Sequence, residues 1–188
     1  MKLKALAKLI KSNGDVTLYN DTDNLEQWVK TGNGIYLLTR LPWIEDPFQL
    51  LNILDISGKD QEKLAINHKP LTDDYSFRDD YPGERDMYDS SLELKLGSLE
   101  LLPARTSMGL RFYEKDYLAP LKDIGDDYQI KERMGKGSEP YIAVKQGLCI
   151  RAIIVPECLE QTKMATELQQ LHEEMMVTMS YLATQPQA

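Results

Sequence analysis

Two apolar runs near the end of the sequence are the feature that most constrains the fold. Residues 141–145 and 148–155 are almost continuously apolar, and only Gln146 and Gly147 separate them. Such runs around a short glycine-containing turn predict a pair of neighbouring strands. Pro156 ends the second strand, because proline cannot donate a hydrogen bond to a sheet. We therefore expect a sheet that buries this pair.

The first residues of the chain predict a short helix over 2–12. Leu3, Leu6, Ala7 and Ile10 recur at spacings of three and four, which places them on one helical face. The alternative is a strand that enters an Asn13-Gly14 hairpin turn. Alanine, leucine and lysine favour the helix, since none of them is β-branched.

The remainder of the first 156 residues reads as short strands with one further helix. Residues 16–20, 27–29 and 35–38 have strand composition, and Gly32-Asn33-Gly34 supplies a turn between the last two, which predicts a meander. Asp46 followed by Pro47 resembles a helix start, and the helix is predicted to end near residue 55. Further strands are expected at 64–66, 92–96, 99–102, 109–113 and 128–131. The predicted fold class is α+β, with a mainly antiparallel sheet.

Residues 157–184 predict one long C-terminal helix, because they contain neither glycine nor proline. Apolar side chains follow one another at spacings of three and four, as in a coiled-coil seam; they are Met164, Leu168, Leu171, Met175 and Leu182, with Thr178 in the same row. Two interpretations stay open: the helix crosses its own sheet, or it forms a homodimer. The predicted organisation is a core domain at 1–156, this helix at 157–184 and a tail at 185–188.

Charge and motifs exclude several classes of function. The chain has 30 acidic and 22 basic residues, a net charge of −8, which argues against a protein that coats nucleic acid. No apolar stretch approaches the ~20 residues that span a bilayer, so we expect a cytoplasmic protein. The sequence has no P-loop, no GxGxxG and no GxSxG motif, and its two histidines lack metal-ligand spacing. We therefore assign no catalytic residue, cofactor or metal, and predict that the protein is not an enzyme.

Residues 73–90 form an acidic segment in which aromatic residues are interleaved. It contains seven acidic and two basic residues. Tyrosine provides a large contact area at small entropic cost, and clustered carboxylates attract a basic surface. The predicted partner-binding residues are Tyr75, Phe77, Asp79, Asp80, Tyr81, Glu84, Asp86 and Asp89. The alternative is a loop that only adds solubility.

Two blocks of the sequence resemble a known group of proteins. The first contains Gln27-Trp28-Val29, Gly32, Ile35-Tyr36-x-Leu38, Leu41-Pro42 and Leu51-x-x-Leu54-Asp55-Ile56, and the second runs through 141–148 and closes on 153–156. Together they resemble uncharacterised phage and prophage proteins of gut bacteria that include a family of type II-A anti-CRISPR proteins. The resemblance covers about residues 1–156, and no functional residue is carried over from it.

The resemblance implies stoichiometric binding to a type II CRISPR effector nuclease, or to its guide complex, inside the bacterial host. Such nucleases hold nucleic acid in positively charged channels, which is the kind of surface that an acidic segment fits. The first alternative is a phage structural, assembly or replication accessory protein that is dimerised by its C-terminal helix. A weaker alternative is a small metal-dependent enzyme that uses the aspartate doublets at 73–74, 79–80 and 126–127.

Overall fold

The computed structural model describes residues 1–87, 92–122, 128–157, 167, 170–171 and 173–177. Its helices are α1 (Leu3–Asn13), α2 (Pro47–Ile53), α3 (Gly58–Gln61) and a 3-10 helix (Lys115–Leu121). Its strands are β1 (Asp15–Asp21), β2 (Glu26–Thr31), β3 (Gly34–Leu37), β4 (Ala65–Pro70), β5 (Arg85–Asp86), β6 (Leu94–Leu96), β7 (Leu99–Thr106), β8 (Gly109–Glu114), β9 (Tyr128–Met134), β10 (Pro140–Gln146) and β11 (Cys149–Ile154). The chain divides into two compact units, Met1–Pro156 and Glu157–Ala188.

In the described part of the chain, the first unit contains a large mixed sheet and a small antiparallel one. The large sheet has eight strands in the order β4-β1-β2-β3-β11-β10-β9-β5, and the small one pairs β6, β7 and β8. Neighbouring strands are antiparallel except β4, which runs parallel to β1 from the Asp15–Ala65 pair onward. The predicted α+β class with a mainly antiparallel sheet is confirmed.

Local sequence signals place several elements as expected. The helix α1 buries Leu6, Leu9 and Ile10, and it ends at Gly14, whose φ of 71° suits a residue without a side chain. The side chain of Asp46 accepts a hydrogen bond from the Phe48 amide at 3.0 Å, and Pro47 begins α2. The meander β1-β2-β3 and the β10-β11 pair are both antiparallel. The predictions for these elements are confirmed.

Both faces of the large sheet are covered, which explains the continuous apolar runs. Side chains alternate along each strand: Val144 of β10 belongs to one core and Ala143 to the other. The first core includes residues of α1, α2, the 3-10 helix and the small sheet. The second core consists of Tyr19, Trp28, Ile35, Tyr141, Ala143, Ile150 and Ile153, and part of the segment after β4 packs against it.

The continuous helix predicted over 157–184 is not supported. Described residues with helical conformation are 167, 170–171 and 173–177, and most of the predicted range lies outside the described residues. Leu171 and Met175 of the predicted seam are 53% and 54% exposed. A helix in a protein takes most of its stability from the packing of its apolar face, and the heptad pattern alone does not supply that packing. Among the described residues, no helix is long and apolar enough to cross a membrane.

Candidate functional site

Residues 71–86, here named the strap, contain most of the predicted binding residues and cover the second core. Tyr75 and Phe77 are half-buried and pack against this core together with Leu71. The Phe77 ring meets Trp28 edge-on with centroids 4.8 Å apart, and the Tyr75 ring meets Tyr141 in the same way at 5.2 Å. Edge-to-face pairs of this kind add to the free energy gained from burial. These two aromatic side chains therefore stabilise the fold.

Hydrogen bonds fix the strap to β9 and β10 along its length. The Ser76 amide donates to the Tyr141 hydroxyl at 3.0 Å. The Tyr81 hydroxyl donates to the Met134 carbonyl at 2.9 Å, and the Tyr81 ring lies 5.1 Å from the guanidinium carbon of Arg133. A guanidinium over an aromatic face is attracted by the electrons of the ring. Tyr81 thus contributes to the attachment of the strap.

Two basic side chains of the sheet meet one carboxylate of the strap. Arg133 of β9 is fully buried, and its Nε and Nη2 atoms donate to Glu84 Oε2 at 2.9 and 2.6 Å. Lys145 of β10 donates to Glu84 Oε1 at 2.9 Å. Arg133 also donates to the backbone carbonyls of Arg78 and Asp79, and Lys145 to that of Asp79. The two cations thereby satisfy backbone acceptors that the strap would otherwise leave without partners.

The electrostatic environment favours the ionised form of Glu84. Burial by itself would raise the pKa of this carboxyl group. Hydrogen bonds from Lys145 and Arg133, together with their charges, outweigh burial and hold the pKa below its usual value. Glu84 is therefore a structural acid, and its partly buried charge compensates Arg133 and Lys145.

Several exposed aspartates of the strap are paired with bases. Asp73 pairs with Lys136, Asp86 pairs with Lys131, and Asp80 lies 3.4 Å from Arg78. Lys136 lowers the pKa of Asp73 through a hydrogen bond and its charge. The strap has six acidic and two basic residues. Three sheet residues, Lys131, Arg133 and Lys145, and Lys136 of the β9-β10 turn bring the bases to six. The fold therefore compensates much of the acidity seen in the sequence.

A smaller acidic surface remains where the strap meets the start of β2. Asp74 and Asp79 are exposed and, among the described residues, form no salt bridge; Asp79 Oδ1 accepts a hydrogen bond from the Ile150 amide at 2.8 Å. Burial raises the pKa of Glu26, and the negative charges of Asp79 and Asp21 raise it further. The residues Asp21, Glu26 and Asp79 are here named the acidic face. Asp74 belongs to another part of the strap, where its backbone carbonyl accepts a hydrogen bond from the Lys136 amide. No sequence pattern indicates Glu26 as a site residue, because only the fold brings it near Asp79.

Sequence reasoning also missed Arg133 and Lys145. A sequence signal for Lys145 exists, since this lysine directly follows the apolar run Tyr141–Val144 of a buried strand. A buried cation needs a partner, and the acidic segment is the richest source of one. No comparable signal exists for Arg133, because the residues before it in β9 do not form an apolar run.

Several other predicted residues lie outside the part of the chain that the structure describes. Asp89, Met164, Leu168 and Leu182 lie outside the described residues, as do Asp126 and Asp127 of the third acidic doublet. Within the described ranges, no group of three His, Cys, Asp or Glu side chains could hold a metal ion. His68 is exposed in β4, where its Nε2 lies 2.9 Å from Asn20 Nδ2.

Comparisons with protein-family models, with curated proteins and with solved structures found no match to this chain.

Proposed function

We propose that this protein acts by binding a partner protein, and that the acidic face meets a basic surface of that partner. The attachment of the strap carries the proposal. Arg133, Lys145 and the half-buried aromatic rings hold the strap on the sheet, so Asp79 keeps one arrangement before any partner arrives. A preorganised surface loses less conformational entropy on binding than a free loop does.

The acidic face differs from most acidic residues of the strap because no basic side chain among the described residues is paired with it. The aspartates at 73, 80 and 86 have basic neighbours, whereas Asp79, Glu26 and Asp21 form no salt bridge within the described part of the chain. Burial and neighbouring negative charge raise the pKa of Glu26, and a cation from a partner would relieve that repulsion. Charge complementarity of this kind increases association rates and selects partners.

The proposed partner is a type II CRISPR effector nuclease loaded with its guide, and the resemblance described above supplies this identity. Such a nuclease holds nucleic acid in a positively charged channel. An acidic face docked there would compete with target DNA, and one inhibitor molecule would block one nuclease.

A cleavage titration tests the proposal. The purified protein is added in increasing amounts to a guide-loaded type II nuclease and its target DNA, and the mixture is separated by gel filtration. We expect cleavage to stop near equimolar protein, with co-elution of the two proteins. Full cleavage at large excess without co-elution would contradict the proposed partner.

Two variants with the same change in charge locate the surface. The first combines Asp21→Asn, Glu26→Gln and Asp79→Asn, which removes three charges and keeps an oxygen acceptor for the Ile150 amide. The control combines Glu45→Gln, Asp55→Asn and Glu62→Gln, three exposed acids outside the strap. The first should lose inhibition and its salt dependence, and the control should keep both. Equal inhibition by the two variants would place the interface elsewhere.

A further inference from the structure

A second polar feature of the first unit lies at the end of the sheet, beside the β10-β11 turn. It is a cleft of about 340 Å³, here named the arginine cleft. Its polar lining includes Thr39, Arg40, Gln146 and Arg151, and Leu37 and Leu121 line it with apolar surface. None of these residues belongs to the strap or to the acidic face.

Arg151 has a buried donor that lacks a partner. Its Nε atom is buried and makes no hydrogen bond. Glu26 lies within electrostatic range of Arg151, yet in the described part of the chain Arg151 forms no salt bridge. Buried N–H groups are almost always satisfied in folded proteins.

Arg40 also lines this cleft, and its backbone conformation is strained. Its φ of 62° lies in the left-handed region, which costs free energy for a residue with a side chain. Strained residues of this kind concentrate at binding sites, where the surrounding structure holds them. Arg40 is exposed and, like Arg151, forms no salt bridge with any described residue.

We infer that the arginine cleft binds the oxyanion of a small molecule, a carboxylate or a phosphate group, between Arg40 and Arg151. The guanidinium group presents its donors in a planar fork that matches both kinds of oxyanion. The guanidinium groups of Arg40 and Arg151 would donate to the anion, and the side-chain amide of Gln146 offers a further donor. Leu37 and Leu121 would contact a short apolar body attached to the anion.

Binding is tested by NMR on the full chain with two probes, inorganic phosphate and hexanoate, at constant ionic strength. We expect saturable shifts of the Thr39 and Gln146 amide signals with at least one probe. Saturation by hexanoate alone identifies a carboxylate with an apolar body, and saturation by phosphate alone identifies a phosphate group. Shifts that do not saturate with either probe would overturn the inference.

Variants separate a binding role from a structural one. Arg151→Gln removes the fork, and Arg40→Gly removes the guanidinium while relieving the backbone strain. Each should weaken the probe about tenfold or more, the worth of a charged hydrogen bond, and Arg40→Gly should keep the melting temperature. The control is Arg105→Gln, an exposed arginine in β7, which should leave the affinity unchanged. Equal affinity in all variants would also overturn the inference.

Discussion

Arg133 and Glu84 form a partly buried ion pair in which two guanidinium nitrogens donate to the same carboxylate oxygen, at 2.9 and 2.6 Å. The arginine comes from β9, next to the edge strand β5, and is fully buried, and the glutamate comes from the strap. The other Glu84 oxygen accepts from Lys145 at 2.9 Å. A single carboxylate therefore compensates two cations, and the attachment of the strap depends on it.

Glu84→Gln should lower the free energy of unfolding by about 2–4 kcal/mol, because two buried cations lose their counter-charge. Chemical denaturation of the purified variant measures this change. Asp80→Asn is the control, since Asp80 and Arg78 are exposed and lie 3.4 Å apart. An exposed pair contributes about 0–1 kcal/mol. Similar losses in both variants would contradict a special role for Glu84.

The same carboxylate should make stability depend on pH in the acidic range. The pKa of Glu84 is lowered in the folded protein, so its contribution is complete above the unfolded-state pKa of about 4.3. The contribution is lost as pH falls through the folded-state pKa. The difference in unfolding free energy between the wild type and Glu84→Gln should therefore shrink from about pH 6 to about pH 3. A constant difference over this range would disprove the assignment.

The contact between Phe77 and Trp28 predicts that a change in the strap alters the stability of the second core and the surroundings of Trp28. Phe77→Ala should cost about 2 kcal/mol, less than a fully buried phenylalanine, because the side chain is half-buried. Trp28 is fully buried, so its fluorescence should shift to longer wavelength when the ring of Phe77 is removed. Phe48→Ala is the control: Phe48 is 48% exposed, and we expect a cost of about 0.5 kcal/mol and no shift.

Sequence patterns predicted the elements that depend on local physics. The Asp46-Pro47 helix start, the Gly14 helix end and the β10-β11 pair follow from backbone preferences within a few residues. The attachment of the strap could not be predicted from local patterns, because it depends on partners more than 45 positions away in sequence, such as Arg133 and Lys145. The acidity of the strap predicted a partner protein with a basic surface. In the fold, a large part of this negative charge is paired with basic residues of the same chain.

The prediction of one continuous C-terminal helix is not supported by the described residues. Heptad spacing shows that an apolar face would exist if a helix formed, and it does not show what covers that face. The parallel pairing of β1 with β4 was also absent from the sequence interpretation. The strands are separated by two further strands and two helices, and no local signal encodes such a pairing.

Gly32 offers a direct test of how the meander meets the helices. It has a φ of +51°, and a Cβ atom there would lie 2.5 Å from the Tyr117 hydroxyl and 2.6 Å from Asn13 Nδ2. Tyr117 is buried, and its hydroxyl accepts a hydrogen bond from the Asn33 amide at 3.2 Å. The space that a side chain at Gly32 would need is therefore occupied by Tyr117 and Asn13.

Gly147, in the β10-β11 turn, is the matched control, because it has nearly the same φ of +60° and no atom within 4 Å of an added Cβ. Gly147→Ala should cost about 1 kcal/mol, the price of a left-handed residue with a side chain. Gly32→Ala adds the steric conflict, about 1–3 kcal/mol more, so its melting temperature should be clearly lower. Restoring space with Tyr117→Phe in the Gly32→Ala background should recover part of that loss. Equal costs at the two glycines would show that the Tyr117 side chain moves aside freely and that the turn is not fixed by the 3-10 helix.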